Sequence, residues 1–312
     1  MTESPELVLF GNLLVDDIVL ADGTTLLGEP GGAVLHAALA ASLWGCHVGI
    51  VSVVGCDYPP AALERLEQRG VDLAGVRRLP RPGGRAWLLH EPSARRVIHH
   101  LDSPSHADIS PVVADLPPAW RDPGAVHLAP MPLDRQAELA AGIAAVAPRS
   151  ILSLDPFELI CDATVGRWTE PLAHVDTLFA GLDDLRLTED PAGVLASVAG
   201  GQLRLLVLKQ ADRGGRVVDL HGGADVAWPA RAESIIDVTG AGDAFAGGFL
   251  AGRLRGGDLA ASVALGVVSA SFAISDWGGR GLARTTAAAA WNRLADWYPE
   301  HAPGERKRQG VS

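Results

Sequence analysis

The sequence predicts an α/β fold: a mostly parallel sheet covered on both faces by helices, with a small β flap over one end. Short apolar runs alternate with Ala-rich stretches of helical spacing along most of the chain. Two other stretches, 16–30 and 84–101, break that rhythm and read as hairpins. Size agrees, because 312 residues at 48% hydrophobic and 20% charged supply a large core and exclude general disorder.

The first strand is expected at 7–10, continuing into 13–15 ahead of Asp16. A helix follows at 33–43, a strand at 48–54 and a helix at 61–69, with Leu63 and Leu66 on one side of it. Further strands are expected at 125–128, 151–154, 177–179 and 205–208. Helices near 133–147, 184–199, 244–255, 258–275 and 285–297 separate or follow them. In the first irregular stretch, 17–20 and 24–27 flank an Asp22-Gly23 turn. In the second, the segments from Arg85 to His90 and from Arg95 to Leu101 are joined through Pro92-Ser93-Ala94. The chain therefore reads as one domain over 1–298, with lid strands from 16–30 and 84–101 and a disordered tail at 299–312.

Charge and cysteine usage exclude several classes. The 26 Lys+Arg against 37 Asp+Glu give −11, and no Lys or Arg precedes Arg65, so no basic nucleic-acid footprint exists. Glu3 and Glu6 precede the first apolar stretch and Asp16-Asp17 interrupt it, unlike a secretory leader. Residues 30–56 lack Asp, Glu, Lys and Arg, but Gly31-Gly32 and Trp44-Gly45-Cys46-His47 divide them into a helix and a buried strand. Cys46, Cys56 and Cys161 form no CxxC pair and read as buried thiols. A soluble cytoplasmic protein with neither nucleic-acid nor membrane partners is expected.

The chemistry concentrates in Asp237-Val-Thr-Gly-Ala-Gly-Asp243, which ends an extended stretch and opens a helix. Gly240 and Gly242 let the chain turn tightly and bring N–H groups close to a ligand, where the helix dipole favours an anion. Asp243 among those donors is a poor phosphate ligand but is suited to take a proton from a hydroxyl being phosphorylated. The same pattern also serves a merely packed and capped helix start. No GxxxxGK[ST] occurs, since Gly248 stands where its Lys is needed, and Phe245 replaces the third Gly of GxGxxG. The latter disfavours a dehydrogenase. His90, His99 and His100 lack metal-ligand company and are expected at exposed lid positions. Lys209 ends an apolar strand, placed either to contact phosphate or to snorkel to solvent.

The 237–243 run resembles the C-terminal signature of the ribokinase/PfkB family of carbohydrate and nucleoside kinases. Gly31-Gly32 with the following helix, Trp44-Gly45 and Val54-Gly55-Cys56-Asp57 resemble its N-terminal signature. Gly70-Val-Asp72, Val126-His-Leu128, Ser153-Leu-Asp-Pro156 and the stretch from Ser269 to Gly279 follow in family order, over roughly 7–295. The resemblance implies a Rossmann-like, ribokinase-type sheet with a β lid. It implies transfer of the ATP γ-phosphoryl group to a small polyhydroxylated acceptor: a sugar, a polyol such as inositol, or a nucleoside.

By that likeness Asp243 is the catalytic base, and the amides of Gly240, Ala241 and Gly242 form the anion hole. Asp16, Gly31 and Gly32 fall at acceptor-binding positions, and His36 stands where relatives carry Asn. Asp237 and Thr239 match positions that supply oxygens to a monovalent cation such as K+. The Asn-x-x-Glu motif that organises Mg2+ through water appears as Gly181-Leu-Asp-Asp184, keeping a carboxylate at Asp184 but losing the amide. Lys209 and Gly214, the latter in a changed Gly-x-x-Gly, fall on the nucleotide side, with adenine between loops near 210–225 and 265–280. The resemblance also admits a homodimer through the lid. The loss at Gly181 is what favours an alternative: a catalytically impaired member that binds nucleotide or sugar in a regulatory role.

Overall fold

The computed structural model describes residues 4–302 apart from 92, 93, 121 and 182, with only the backbone for 94 and 95. The strands are β1 (Leu7–Phe10), β2 (Leu14–Val19), β3 (Thr25–Gly31), β4 (Val48–Val54) and β5 (Asp72–Arg78). Next come β6 (Arg85–Glu91), β7 (Ala94–His99), β8 (Ala125–Leu128), β9 (Ile151–Leu154) and β10 (Ile160–Cys161). The last are β11 (Thr177–Gly181), β12 (Leu185–Arg186), β13 (Leu205–Lys209), β14 (Gly215–Asp219) and β15 (Val226–Trp228). Helices α1 (Ala33–Ser42), α2 (Pro60–Gln68), α3 (His106–Ile109), α4 (Leu133–Val146) and α5 (Thr169–Leu172) fall between them. After β12 come α6 (Pro191–Val198), α7 (Ala241–Leu254), α8 (Leu259–Ala273), α9 (Arg280–Arg284) and α10 (Ala287–Trp297).

The large sheet runs β15-β14-β13-β11-β9-β8-β1-β4-β5, parallel from β13 to β5 and antiparallel at the β14–β15 edge. Its parallel strands are continuous apolar runs because both faces are covered. Leu7 and Leu9 of β1 point into a core built with α1, α2, α7, α8 and α10, while Val8 and Phe10 point into a second core with α4, α5 and α6. The chain goes from β1 to β4 on one side and later to β8 on the other, so a crevice opens at the carboxyl end of β1.

The two irregular stretches form a separate four-stranded sheet, β3-β2-β6-β7. Its hairpins β2–β3 and β6–β7 are antiparallel, and β2 joins β6 in parallel. Buried Asp17 binds the two hairpins: it receives Arg85 Nε and Nη2 at 2.7 Å each and Gly28 N at 2.8 Å. Burial raises the pKa of Asp17, but Arg85 and Gly28 outweigh it and hold the carboxyl below its ordinary value.

Several local expectations are corrected. The strand does not run on to 15: Gly11-Asn12-Leu13 leaves the large sheet, Leu13 N donates to Ser52 Oγ, and β2 begins in the lid. The helix expected over 184–199 starts only at Pro191, because proline fits a first turn and not an interior. Asp190 caps it by accepting from Gly193 N at 3.0 Å. The helix expected from 244 begins at Ala241, which draws Asp243 into its first turn. A 3-10 turn occupies Pro299–His301, so ordered chain extends into the expected tail; the rest of that tail and the Pro92-Ser93 turn lie outside the described residues. Cys46 is buried, but Cys161 is half-buried and Cys56 is exposed.

Candidate active site

Helix α7 opens at Gly240, which adopts the left-handed conformation at φ 74° and leaves the helix without a side-chain cap. A Cβ there would stand 2.2 Å from His36 Nδ1, so only glycine fits the backbone against that imidazole. The first amides of a helix have no partner within it, and half-exposed Asp243 lies in that same first turn. Buried His36 thus brings α1 against this helix start.

Lys209 comes to the same place from the end of β13. A Cβ on Gly242 would lie 3.1 Å from its Nζ, which puts the ammonium over the first turn of α7. Its Nζ donates to Asp155 Oδ2 at 2.5 Å. Burial pushes the buried Asp155 carboxyl up to about 7 against the pull of Lys209, with Asp243 and Asp184 adding to the rise. Lys209 is raised in turn, because those three carboxylates outweigh its loss of solvent. The pair escaped the sequence reading: Leu-Asp-Pro after an apolar strand marked the position of Asp155, but nothing local marked its partner.

Asp184 folds back on its own strand end, where its Oδ2 accepts from Gly181 N at 2.7 Å. A Cβ at Gly181 would come within 2.9 Å of that oxygen, so the glycine makes room for the carboxylate. Beside it a cavity of about 190 Å³ is lined by Gly181, Leu185, Pro191, Lys209 and Gln210 among others. Gly214 does not join this group. Its N–H donates to Ala211 O and its carbonyl accepts from Gln210 N, so it shapes the turn after β13.

On the acceptor side, Asp16 lies directly over Gly31, where a Cβ would meet its Oδ2 at 1.7 Å. A Cβ on Gly32 would meet Asn12 O at 2.2 Å. Asp16 and Gly31 thus meet within the lid sheet, and Gly32 leads from it directly into α1, which carries His36.

Asp237 is a knot. Its Oδ1 accepts from Thr239 N at 2.9 Å and its Oδ2 from Gly278 N at 2.8 Å. His90, expected to be exposed, reaches down from β6 with a side chain only 10% accessible. Its Nε2 lies 3.1 Å from Thr239 Oγ1 and 3.3 Å from Asp237 Oδ1. The other two lid histidines are also engaged, His100 with Asp17 at 3.0 Å and His99 with His106 at 2.7 Å. A second lid tie runs from Glu29 to Arg280 at 2.5 and 2.8 Å.

The donor chemistry bears on both expected metals. Each Asp237 oxygen accepts one backbone N–H and the Thr239 hydroxyl meets His90, which leaves lone pairs on all three oxygens, so their chemistry is compatible with a monovalent cation. Asp243 and Asp184 add to a rise at Asp155 that is due first to burial, and a divalent ion held near these carboxylates would offset their negative potential. Among the described residues no cluster of three or more His, Cys, Asp or Glu is arranged to hold a metal ion.

Residues 10–285 match the PfkB family of carbohydrate kinases. The chain belongs to that family. It is an ATP-dependent phosphotransferase with an alcohol group as acceptor, of the sugar and nucleoside kinase class. It is 30% identical over 285 residues to a cytidine kinase of Thermococcus kodakarensis, covering 88% of this chain and 97% of that one. It is 32% identical over 262 residues to an ATP-dependent ribose-1-phosphate kinase of Halopiger xanaduensis, covering 79% and 82%. A nucleoside kinase of Burkholderia thailandensis, solved with inosine, superposes with a TM-score of 0.73 at 20% identity over 94% of this chain and 99% of that one. A ribokinase-like protein of E. coli, solved with ATP and Mg2+, gives 0.75 at 16% identity with the same coverages. These two likenesses establish the PfkB kinase fold. Among the described residues no helix is long and apolar enough to cross a membrane.

Proposed function

We propose that this PfkB kinase phosphorylates a hydroxyl of a sugar, a sugar phosphate or a nucleoside through the site at the start of α7. One observation carries the reading: Lys209 and the uncapped N-terminus of α7 meet at Gly242, one residue before Asp243. Positive potential and a proton acceptor are thus adjacent, as in-line phosphoryl transfer requires.

In this reading Asp243 accepts the hydroxyl proton as the acceptor oxygen bonds to the γ-phosphorus. The bond to the β-phosphate oxygen breaks, and ADP leaves with that electron pair. The amides of Gly240, Ala241 and Gly242 bind the charge on the moving group, and Lys209 steadies the phosphates on the β13 side. Asp16 accepts hydrogen bonds from acceptor hydroxyls, and His36 backs the anion hole at Gly240. Asp184 would hold Mg2+ through water, and the ion when bound neutralises phosphate charge. The lid excludes water from the closed crevice.

The reading extends to a single cytoplasmic domain whose lid edges meet in a homodimer. Leu27 on β3 and Val97 and Ile98 on β7 leave apolar side chains exposed there, surface that such a dimer would cover. A coupled assay of ADP release with ATP, Mg2+ and each of D-ribose, ribose 1-phosphate, cytidine and inosine tests the activity. Acceptor-dependent ADP from at least one is expected; its absence with all four overturns the proposal.

A further inference from the structure

Away from the phosphate end, four elements bring an amide and three rings together where the lid meets the crevice. Asn12 follows β1, His99 ends β7, His106 opens α3 and Phe157 follows β9. His106 Nε2 lies 2.7 Å from His99 Nε2, and His106 Nδ1 lies 3.4 Å from Asn12 Nδ2. The His106 ring stacks on Phe157, with centroids 5.0 Å apart and planes 25° apart. Phosphoryl transfer uses none of these groups.

Two features of the cluster call for a ligand. Asn12 is only 3% exposed, yet its Oδ1 is a buried oxygen with no hydrogen-bond partner among the described residues. Such an acceptor is costly to leave unmet. Phe157, by contrast, is 44% exposed and reaches the cluster through its stack on His106. A flat molecule that covers the phenyl ring and donates to the amide oxygen satisfies both at once.

The polarity of the cluster follows from its hydrogen-bond order. Burial pushes His106 down to about 4 and lowers His99 as well, so both rings are neutral near pH 7. Asn12 Nδ2 donates to His106 Nδ1, which leaves His106 Nε2–H to donate to His99 Nε2. His99 Nδ1–H and the second Asn12 Nδ2–H are then the remaining donors. The cluster offers an unmet acceptor beside N–H donors and carries no net charge, which matches the edge of a neutral heterocycle better than a phosphate.

Its location agrees. Asn12 leaves the strand at which the sheet order reverses, and its carbonyl adjoins Gly32 on the acceptor side. Phe157 stands two residues beyond Asp155 of the phosphate end. A ring held here lies along the same crevice as a hydroxyl delivered to Asp243.

We infer that Asn12, His99, His106 and Phe157 form a nucleobase subsite, so that the acceptor of this kinase is a nucleoside rather than a free sugar. The inference rests on the proposed kinase site, and two measurements separate their fates. The first compares kcat/KM for cytidine, inosine and D-ribose in the full chain and in Phe157→Ala, an exposed position whose truncation spares the core. The better nucleoside is expected to exceed ribose by more than a hundredfold. Phe157→Ala should lower its kcat/KM by roughly tenfold or more, the loss typical of a base-stacking aromatic, while the KM for ATP stays put. The second measures cytidine and inosine binding by equilibrium dialysis, without turnover, in the unaltered chain, Phe157→Ala and Asn12→Ala. Nucleoside binding that weakens in both variants supports the subsite even if no acceptor is phosphorylated, in which case only the kinase site fails. Ribose turned over as well as either nucleoside, or nucleoside binding indifferent to Phe157, overturns the subsite and leaves the kinase site standing. Absence of nucleoside binding overturns it too.

Discussion

Replacing Asp243 by Asn keeps the size and planarity of the side chain in the first turn of α7 and removes its capacity to take a proton. If the carboxylate is the base, kcat falls by about 10²–10⁴, the usual worth of positioned proton transfer. At about 1.4 kcal/mol per tenfold, that is about 3–5 kcal/mol of barrier. The cost to folding is much smaller. A carboxylate near a helix N-terminus contributes about 0.3–1 kcal/mol, so the melting temperature moves by only a few degrees. The variant also relieves Asp155, whose pKa near 7 is held up partly by Asp243, and the value should drop. The assay pairs acceptor-dependent ADP release with nucleotide titration and thermal melting. Turnover within tenfold of the unaltered chain would refute the assignment. A loss of several kcal/mol of stability would show instead that the carboxylate mainly holds the helix.

Three further outcomes follow from the same geometry. Lys209→Met strands the buried Asp155 carboxylate and should cost about 3–5 kcal/mol in urea denaturation, with part recovered by adding Asp155→Asn; an unchanged midpoint would remove the pair from the site. Gly240→Ala forces a left-handed alanine, about 1–2 kcal/mol, and a clash with His36, so stability and turnover should fall together in parallel melting and rate measurements. The pH dependence involves two opposed groups. Burial, reinforced by Lys209, lowers His127 to about 3, so the unfolded chain binds the extra proton below about 6.5 and stability is lost on acidification. Raised Asp155 acts in the opposite sense between about 4 and 7, where the folded chain holds the proton. Asp155→Asn should therefore uncover an acid slope approaching 1.4 kcal/mol per pH unit in denaturation series from pH 7 to 4; a slope no steeper than that of the unaltered chain would contradict both shifts.

Sequence reading succeeded where the determining interactions are local. The glycine run before α7, the apolar strands and the alternating lid segments each announce their backbone form within a few residues. Helical spacing fixes helix ends less well: α7 starts three residues before the expected 244, and α6 seven residues after the expected 184, at the Asp190-Pro191 start signal.

By itself the sequence determined the α/β class, the existence of a lid, and the glycine-flanked carboxylate at 237–243. Tertiary structure alone decided what that carboxylate faces. Lys209 finds Asp155 across 54 residues, His90 finds Thr239 across 149, and Asn12 finds His106 across 94. Each contact joins a strand end or lid strand to a segment that lies beside it only once the sheet has been ordered and the flap laid over it. The charge and hydrogen-bonding state of these groups then follow from burial and from partners that no local spacing encodes.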